Sequence, residues 1–370
     1  MSISAKILKN DERAMLALRE LYSSYGYLRY KVSKFEEYDL YARNKNFLIS
    51  ENILTFTDTD GRLMALKPDV TLSIVKNLGN SASETHKLYY NENVYRTSAS
   101  SNGFKEIMQI GLECIGKIDT YSVCEVITLA QKSLELISEE NVLDVSHMGL
   151  MMGIFETLNL SPDQTRSLLS LVEHKNLSAI RRACYDMGVS DEGCEAICKL
   201  TSIYAPVRTA LSEIKDLLYT DKMKEAYDEL CAVCDYIEAV GNIDKVYLDF
   251  STVNDMNYYT GITFKGFING IPDGVLSGGR YDSLMVRMGK SAGAIGFAVY
   301  LDMLGRLSSE REEYDVDTLI TYDDSADLLE VLRIADMLRR QSKSVRVELG
   351  EPKNLKYRER LDVVGKGESK

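Results

Sequence analysis

The sequence contains no tryptophan, three histidines and five prolines among its 370 residues. Three histidines leave little scope for imidazole chemistry. Five prolines and 24 glycines exclude a collagen-like chain or a long flexible linker. Basic residues are also in deficit, because 44 Lys and Arg face 56 Asp and Glu, for a net charge of -12. A chain this acidic repels nucleic-acid phosphates overall, which excludes a general polyanion binder but permits a local basic patch.

Long hydrophobic runs are missing too. The longest apolar stretch, residues 292–304, is interrupted by Asp302 and is too short to cross a bilayer. Charges run through the first twenty residues, which lack the apolar segment of a signal peptide and are typical of an amphipathic helix. We therefore expect a cytoplasmic protein with no membrane partner.

Seven cysteines, an odd number without an export signal, predict reduced thiols. Cys194 with Cys198, and Cys231 with Cys234, have the spacing of metal ligands. Neither a second CxxC nor a nearby histidine completes a zinc set. Buried apolar cysteines are therefore the favoured interpretation, and we predict no metal site and no cofactor.

Hydrophobic periodicity predicts an α+β fold with three regions. Residues 1–310 alternate antiparallel strand patterns with long helical ones, and this core contains a helical insertion over residues 155–240. Residues 315–370 form a short α/β segment that reads strand, helix, strand. The order of these patterns favours an antiparallel sheet flanked by helices over a doubly wound parallel sheet.

Several local patterns refine this prediction. Residues 52–66 predict a hairpin that turns at Gly61, and residues 87–96 and 104–116 predict two further strands. The glycine-rich segment 274–282 predicts a loop, and the polar last twenty residues predict loose chain.

One short motif suggests a hydrolase. Residues 289–293, with Ser291 at the centre, match the GxSxG nucleophile elbow. The preceding residues do not form a convincing strand, and all three histidines lie far upstream instead of last in the chain. The chain also has no P-loop and no GxGxxG that opens a helix. Chance occurrence is therefore the better explanation of this motif.

A second group of residues suggests an amino-acid site. Arg96 ends one predicted strand, and Gln109 and Glu113 lie four apart on the next, so they share a face of the sheet. Guanidinium and carboxylate groups on one surface can hold the carboxylate and the ammonium of a zwitterion. A solvated sheet face with a routine ion pair explains the same spacing. Residues 258–261 and 278–282 bring tyrosines and glycines that can close a small pocket.

Taken in order, these segments resemble the histidyl-tRNA synthetase family of class II aminoacyl-tRNA synthetases. The resemblance covers about residues 5–310, and its segments are KPDVT at 67–71, YYNENVYR at 89–96, FKEIMQIGLECIG at 104–116, DMNYYTGITF at 255–264, GGRYDSL at 278–284 and AGAIGFAVYLDML at 292–304. It implies the class II core fold and a histidine-binding pocket. The implied pocket residues are Asp69, Thr71, Arg96, Gln109, Glu113, Tyr258 and Tyr259.

Departures from the family pattern fall on its ATP chemistry. Met303 and Asn254 occupy places where the resemblance implies arginine, Asn257 replaces an aspartate, and Ser98 replaces the acid that contacts ATP. Adenylation needs cations aimed at the charge that develops on the α-phosphate. The resemblance and these departures together imply that the chain retains the histidine pocket but lacks the catalytic residues for adenylation.

The C-terminal segment points the same way, because the 56 residues after Tyr314 are too few for a complete anticodon-binding domain. This combination resembles the regulatory subunits of ATP phosphoribosyltransferase. That resemblance implies a non-catalytic allosteric subunit for the first step of histidine biosynthesis. Its implied partners are a short-form catalytic subunit in a hetero-octamer, a second copy of itself and L-histidine as the inhibitor, but no tRNA. A divergent histidyl-tRNA synthetase and a stand-alone histidine sensor remain as alternatives.

Overall fold

The computed structural model describes residues 8–48, 52–79, 84–97, 103–252, 258–306 and 314–364. The chain forms two compact units, residues 1–307 and residues 308–370. No helix in the described ranges is long and apolar enough to cross a membrane.

The described residues contain twelve α-helices. They are α1 (Asn10–Ser24), α2 (Tyr38–Ala42), α3 (Thr71–Asn77), α4 (Thr120–Ile137), α5 (Met148–Thr157), α6 (Pro162–Glu173), α7 (Leu177–Asp186), α8 (Asp191–Ser202), α9 (Val207–Ile214), α10 (Asp221–Val240), α11 (Asp282–Arg287) and α12 (Leu328–Arg340).

The same residues contain fifteen strands. They are β1 (Leu28–Arg29), β2 (Phe35–Glu37), β3 (Thr55–Thr57), β4 (Leu63–Leu66), β5 (His86–Thr97), β6 (Phe104–Gly116), β7 (Asn141–His147), β8 (Tyr204–Pro206), β9 (Val246–Asp249), β10 (Ile262–Ile268), β11 (Leu276–Arg280), β12 (Gly293–Tyr300), β13 (Val316–Tyr322), β14 (Val345–Leu349) and β15 (Tyr357–Val363).

Nine of these strands form the central sheet, in the order β1-β5-β6-β12-β11-β10-β7-β9-β8. All neighbours are antiparallel except the pairs β1–β5 and β7–β9. The predicted α+β class is confirmed, and the sheet is mixed only towards its edges. Strands β5 and β6 pair over their whole lengths, so the two segments that carry Arg96, Gln109 and Glu113 are neighbours.

Helix α4 covers one face of this sheet, and a second buried hydrophobic cluster covers part of the other face. Asp119 caps the helix by accepting a hydrogen bond from the Ser122 N–H. Most α4 side chains from Ser122 to Leu134 are buried. Leu134 packs directly over Gly266 of β10, because a Cβ added to Gly266 would lie only 2.7 Å from Leu134 Cδ1. The helix therefore packs on the Gly266 face of β10, and residues of opposite parity face the other side.

The predicted hairpin at residues 52–66 is confirmed as β3 and β4. Gly61 adopts a φ of +80°, in the left-handed region that favours glycine. Asp58 accepts hydrogen bonds from the N–H groups of Asp60 and Arg62 and so holds the turn. Strand β2 completes a small three-stranded sheet with this hairpin.

The block from residue 155 to 240 holds α6 to α10, together with one strand that periodicity did not predict. Strand β8 pairs with β9 at the edge of the central sheet, so the helical block contributes one edge strand to that sheet. Strand β7 was also not predicted. Its segment carries the polar residues Asp144 and Ser146, which are buried, so the apolar run typical of a buried strand is interrupted.

In the C-terminal unit, the predicted strand, helix and strand are confirmed as β13, α12 and β14. The predicted loose chain over the last twenty residues is wrong for β15, which pairs in parallel with β13. The hydroxyl groups of Thr318 and Thr321 donate hydrogen bonds to Glu359 and Asp362 on this strand. These polar contacts hold a strand whose side chains are mostly exposed and whose sequence therefore lacks a hydrophobic pattern.

Candidate functional site

A cavity of about 350 Å³ lies on the face of the central sheet opposite α4. It is lined by all seven residues that the sequence predicted for a pocket. These are Asp69, Thr71, Arg96, Gln109, Glu113, Tyr258 and Tyr259. The fold therefore brings together side chains from four separate segments of the chain.

The floor of the cavity is a row of residues that face one another across neighbouring strands. Glu113 on β6 lies opposite Gly296 on β12, which lies opposite Gly279 on β11, which lies opposite Thr263 on β10. A Cβ on Gly296 would overlap the Glu113 carboxylate, and one on Gly279 would lie 2.6 Å from Tyr259 Cδ1. The two glycines are thus required because site side chains lie directly over the backbone.

This arrangement corrects the predicted loop at residues 274–282. Leu276–Arg280 is strand β11, a central member of the sheet. Glycine-rich sequence is typical of loops, but here Gly278 and Gly279 allow close approach by Phe297 and Tyr259. Tyr258 and Tyr259 come shortly before strand β10, which begins at Ile262.

Glu113 is the most deeply enclosed acid of the cavity, with 2% of its surface exposed. The Thr71 hydroxyl donates a hydrogen bond to its Oε1 at 2.7 Å, and the Tyr281 hydroxyl donates one to its Oε2. Burial nevertheless raises the pKa of Glu113 to about 8, with a smaller contribution from the nearby Asp69 charge. Glu113 is therefore largely protonated at neutral pH until a cation occupies the cavity.

Asp69 and Arg96 form a second polar corner. Asp69 accepts a hydrogen bond from the Leu72 N–H at 2.8 Å at the start of α3, and Arg96 Nε donates one to the Pro68 carbonyl at 2.9 Å. Burial raises the pKa of Asp69, and the Arg96 charge opposes that shift. Both side chains are held by backbone contacts, so their charges are oriented before any ligand arrives.

Gln109 lies on the same face of β6 as Glu113, four residues away and opposite Tyr300 of β12. Its Nε2 atom is buried and has no hydrogen-bond partner within the described part of the chain. Buried amide donors are almost always paired. This donor therefore suits a ligand atom that accepts a hydrogen bond in the cavity.

The aromatic wall is built around Tyr258. Its ring lies 4.8 Å from that of Tyr259, 5.7 Å from that of Tyr281 and 6.0 Å from that of Phe47. Tyr281 was not predicted as a site residue, although its GGRYD segment was. It directly follows β11, and only the pairing of β11 with β12 places it beside Glu113. Tyr90, which also lines the cavity, was missed because its strand pattern shows only alternation.

The residues that depart from the family pattern are only partly described. Met303 lies in the 3₁₀ turn Leu301–Arg306 and packs against the main hydrophobic core. Ser98, Asn254 and Asn257 lie outside the described residues.

The two motifs that were set aside have structural contexts of their own. Ser291 of the GxSxG match lies between α11 and β12, which reverses the strand–turn–helix order of a nucleophile elbow. Cys198 and Cys234 are buried and their CxxC-like partners Cys194 and Cys231 are half-buried, as predicted for packing residues. In the described ranges no three metal-ligating side chains come together.

A mostly antiparallel sheet, covered by helices on one face and carrying a polar cavity on the other, defines the catalytic-core fold of class II aminoacyl-tRNA synthetases. Residues 5–304 match the family model described as histidyl-tRNA synthetase, and the chain belongs to that family. The resemblance inferred from its ordered motifs is confirmed.

Curated relatives carry a more specific name. ATP phosphoribosyltransferase regulatory subunits of Bacillus anthracis and of one strain of Bacillus cereus are each 28% identical to the chain over 341 residues. Each match covers 90% of this chain and 81% of the relative. The chain therefore resembles these regulatory subunits along most of its length.

Solved structures share the fold. A Bacillus halodurans protein described as an ATP phosphoribosyltransferase regulatory subunit/histidyl-tRNA synthetase has a TM-score of 0.78 and 24% identity, with 99% of this chain and 97% of that chain covered. Histidyl-tRNA synthetase from Nostoc sp. PCC 7120 has a TM-score of 0.73 and 17% identity, over 95% and 87% of the chains. A chain of the Thermotoga maritima ATP phosphoribosyl transferase (HisG:HisZ) complex has a TM-score of 0.62 and 16% identity, over 79% and 97%.

Proposed function

We propose that this chain is a non-catalytic regulatory subunit of ATP phosphoribosyltransferase. In this proposal a short-form catalytic subunit requires it for the first step of histidine biosynthesis, and it mediates feedback inhibition by histidine in the cytoplasm. The observation that carries the proposal is the match to curated regulatory subunits over 90% of the chain. The name of the Thermotoga maritima neighbour, a complex, supports a catalytic partner.

The cavity supports L-histidine as the effector. Arg96 can pair with the ligand carboxylate and Glu113 with its ammonium, both on rigid strands. Gln109 and Tyr258 supply donors for the remaining polar atoms, and Tyr259 closes the pocket. Thr71 positions Glu113 through its hydrogen bond, and Asp69 adds a second carboxyl beside Arg96.

Histidine bound in this cavity would inhibit the complex only by favouring one quaternary state. A ligand with equal affinity for two states shifts neither. By linkage, the state that histidine favours must bind the catalytic partner or its substrates less productively.

Reconstitution with a short-form catalytic subunit tests the central proposal. We expect the catalytic subunit alone to show weak phosphoribosyl transfer, the present chain alone to show none, and the mixture to be active. Equal activity of the catalytic subunit with and without the chain would contradict the proposal.

We expect no adenylation of histidine by the chain. Met303 and Asn254 replace two arginines that the resemblance implies, and each lost cation at such a site costs about 10²–10³ in rate. The measurement is histidine-dependent pyrophosphate exchange with ATP and magnesium. Robust exchange would instead support the alternative, a divergent histidyl-tRNA synthetase, which the family match favours.

The acidic charge also predicts no specific binding of histidine tRNA at physiological salt.

A homodimer within a hetero-octamer is the proposed assembly, with an isologous interface near residues 30–60. An aromatic pair in this region supports it, because Phe35 and Phe56 lie 5.6 Å apart, edge to face, and are 48% and 37% exposed. Such an exposed apolar patch is typical of an interaction site.

We expect light scattering at micromolar concentration to give a dimer mass, and Phe56→Glu to shift it towards the monomer because a charge would be buried at the interface. Phe104→Glu is the matched control, since Phe104 is 48% exposed but lies outside the region. A monomeric parent chain, or an equal effect of both variants, would contradict this interface.

A further inference from the structure

The cavity continues beyond the residues assigned to histidine. At its far side Lys265 on β10 lies opposite Ser277 on β11, and Ser277 lies opposite Ala298 on β12. All three residues line the cavity. The small side chains of Ser277 and Ala298 leave the floor open between Lys265 and the Glu113 end.

The span of this floor exceeds what the two charged groups of one amino acid occupy. Three strand spacings separate β6 from β10, which is about 14 Å of backbone at about 4.8 Å per strand. The ammonium and the carboxylate of one free amino acid lie no more than about 3.6 Å apart, the maximum extent of one residue. With those groups on Glu113 and Arg96, the Lys265 end remains for the ligand side chain or for another group.

Volume supports the same conclusion. A cavity of about 350 Å³ equals the liquid volume of about a dozen waters. Histidine has fewer non-hydrogen atoms than that, and its bonded atoms pack more closely than waters do. Histidine alone therefore leaves part of the cavity unfilled.

The Lys265 end is also rich in polar atoms that lack partners. Thr263 Oγ1, Ser146 Oγ and Asp144 Oδ1 are buried without hydrogen bonds to any described residue. They are adjacent, because Thr263 lies opposite Ser146 and Lys265 lies opposite Asp144. Unpaired buried polar atoms are rare in folded proteins. Of these three residues Thr263 lines the cavity, so its hydroxyl is the group that can donate a hydrogen bond to a ligand there.

Local charge favours an anion. Near Asp144, Lys175 and Asp249 form an ion pair at 2.9 Å, so their opposite charges largely cancel. Burial raises the pKa of Asp144 to about 7, so this carboxyl is partly neutral at physiological pH and offsets Lys265 incompletely. The Lys265 ammonium lies 5.4 Å from the centre of the Phe267 ring, and the side chain passes over Gly274. Rotation about the four-carbon stem would bring the ammonium to an anion in the cavity.

We propose that Lys265, Ser277 and Thr263 form a second subsite in this cavity that binds an oxyanion, either a phosphate or a carboxylate. The Lys265 ammonium supplies the charge, and the two hydroxyl groups donate hydrogen bonds. The inference rests on the proposed function only in that histidine would occupy the other end of the same cavity. A ligand that used both ends would be an amino-acid-like zwitterion extended by an anionic group, or histidine together with a separate anion.

Calorimetric titration of the full chain with inorganic phosphate, and separately with malonate, tests the subsite and distinguishes the two anions. We expect saturable binding of at least one anion, weakened about tenfold or more by Lys265→Met because a charged hydrogen bond is lost. Lys265→Arg should retain most of the affinity. Lys224→Met is the matched control, since it removes the same charge from the exposed surface of the helical block, and it should change affinity by less than about twofold.

Histidine titrations on the same proteins separate this inference from the proposed function. Histidine binding that survives Lys265→Met while anion binding is lost supports the subsite. Histidine and the anion should also bind together. No saturable anion binding, equal affinity in Lys265→Met, or competition that places the anion at Arg96 would overturn the inference. If neither the parent chain nor any variant binds histidine while anion binding is retained, the proposed effector is contradicted and the anion subsite is still supported.

Discussion

Glu113→Ala is expected to abolish inhibition by histidine in the reconstituted complex while leaving phosphoribosyl transfer intact. The substitution removes the partner of the ligand ammonium from a site that is almost fully shielded from water. Truncating one member of such a buried charge pair costs about 2–5 kcal/mol. The histidine concentration for half-inhibition should therefore rise by at least about thirtyfold. Activity without histidine is the readout that the subunits still assemble.

Glu106→Ala provides the matched control for this experiment. Glu106 lies on the same strand as Glu113, but it is exposed and accepts hydrogen bonds from Asn93 and Tyr95 at the surface. We expect its inhibition curve to match that of the parent chain. Unchanged inhibition in Glu113→Ala would move the regulatory site elsewhere, most simply to a subunit interface, and would leave this cavity without the proposed role.

Histidine binding is expected to tighten as pH rises from 6 towards 8. The pKa of Glu113 in the empty cavity is about 8 because burial disfavours its charge. A bound ammonium favours the ionised carboxylate, so binding below pH 8 must release a proton. Because Glu113 ionises as pH rises, the dissociation constant for histidine is expected to fall about tenfold from pH 6 to pH 7 and to level off above pH 8.

Calorimetry across this pH range, in buffers of different ionisation enthalpy, measures both the affinity and the proton released. Glu113→Gln should bind weakly and show a flatter profile, which retains only the titration of the ligand imidazole near about 6.5. Asp144→Asn is the control at the other end of the cavity, since burial raises the pKa of that carboxyl to about 7. It should keep the parent slope. A parent affinity that does not change with pH would contradict the assignment of the ammonium to Glu113.

Three of the seven predicted site residues could be grouped from the alternation of side chains along strands. Gln109 and Glu113 share a face because side chains alternate along β6, and Arg96 joins them because β5 and β6 form one long hairpin. Asp69 and Tyr258 could not be placed by such rules. They came from a resemblance between ordered motifs, and the structure then places them in the same cavity.

Residues missed at the sequence level share one property, which is dependence on non-local pairing. Tyr281 reaches Glu113, and Lys265 reaches the far end of the floor, only through the order of β12, β11 and β10. Strand β7 was missed because its polar residues, Asp144 and Ser146, are buried near the cavity instead of being exposed.

The sequence by itself determined the α+β class, the β3–β4 hairpin, strands β5 and β6, the helical block and the strand–helix–strand order of the C-terminal unit. Each of these follows from periodicity or turn chemistry within a few tens of residues. Only the tertiary structure decided that the glycine-rich segment is a central strand, that Glu113 lies over Gly296, and that its pKa is raised to about 8. The physical reason is that burial and cross-strand register depend on which distant strands become neighbours, and no local pattern in the chain records that choice.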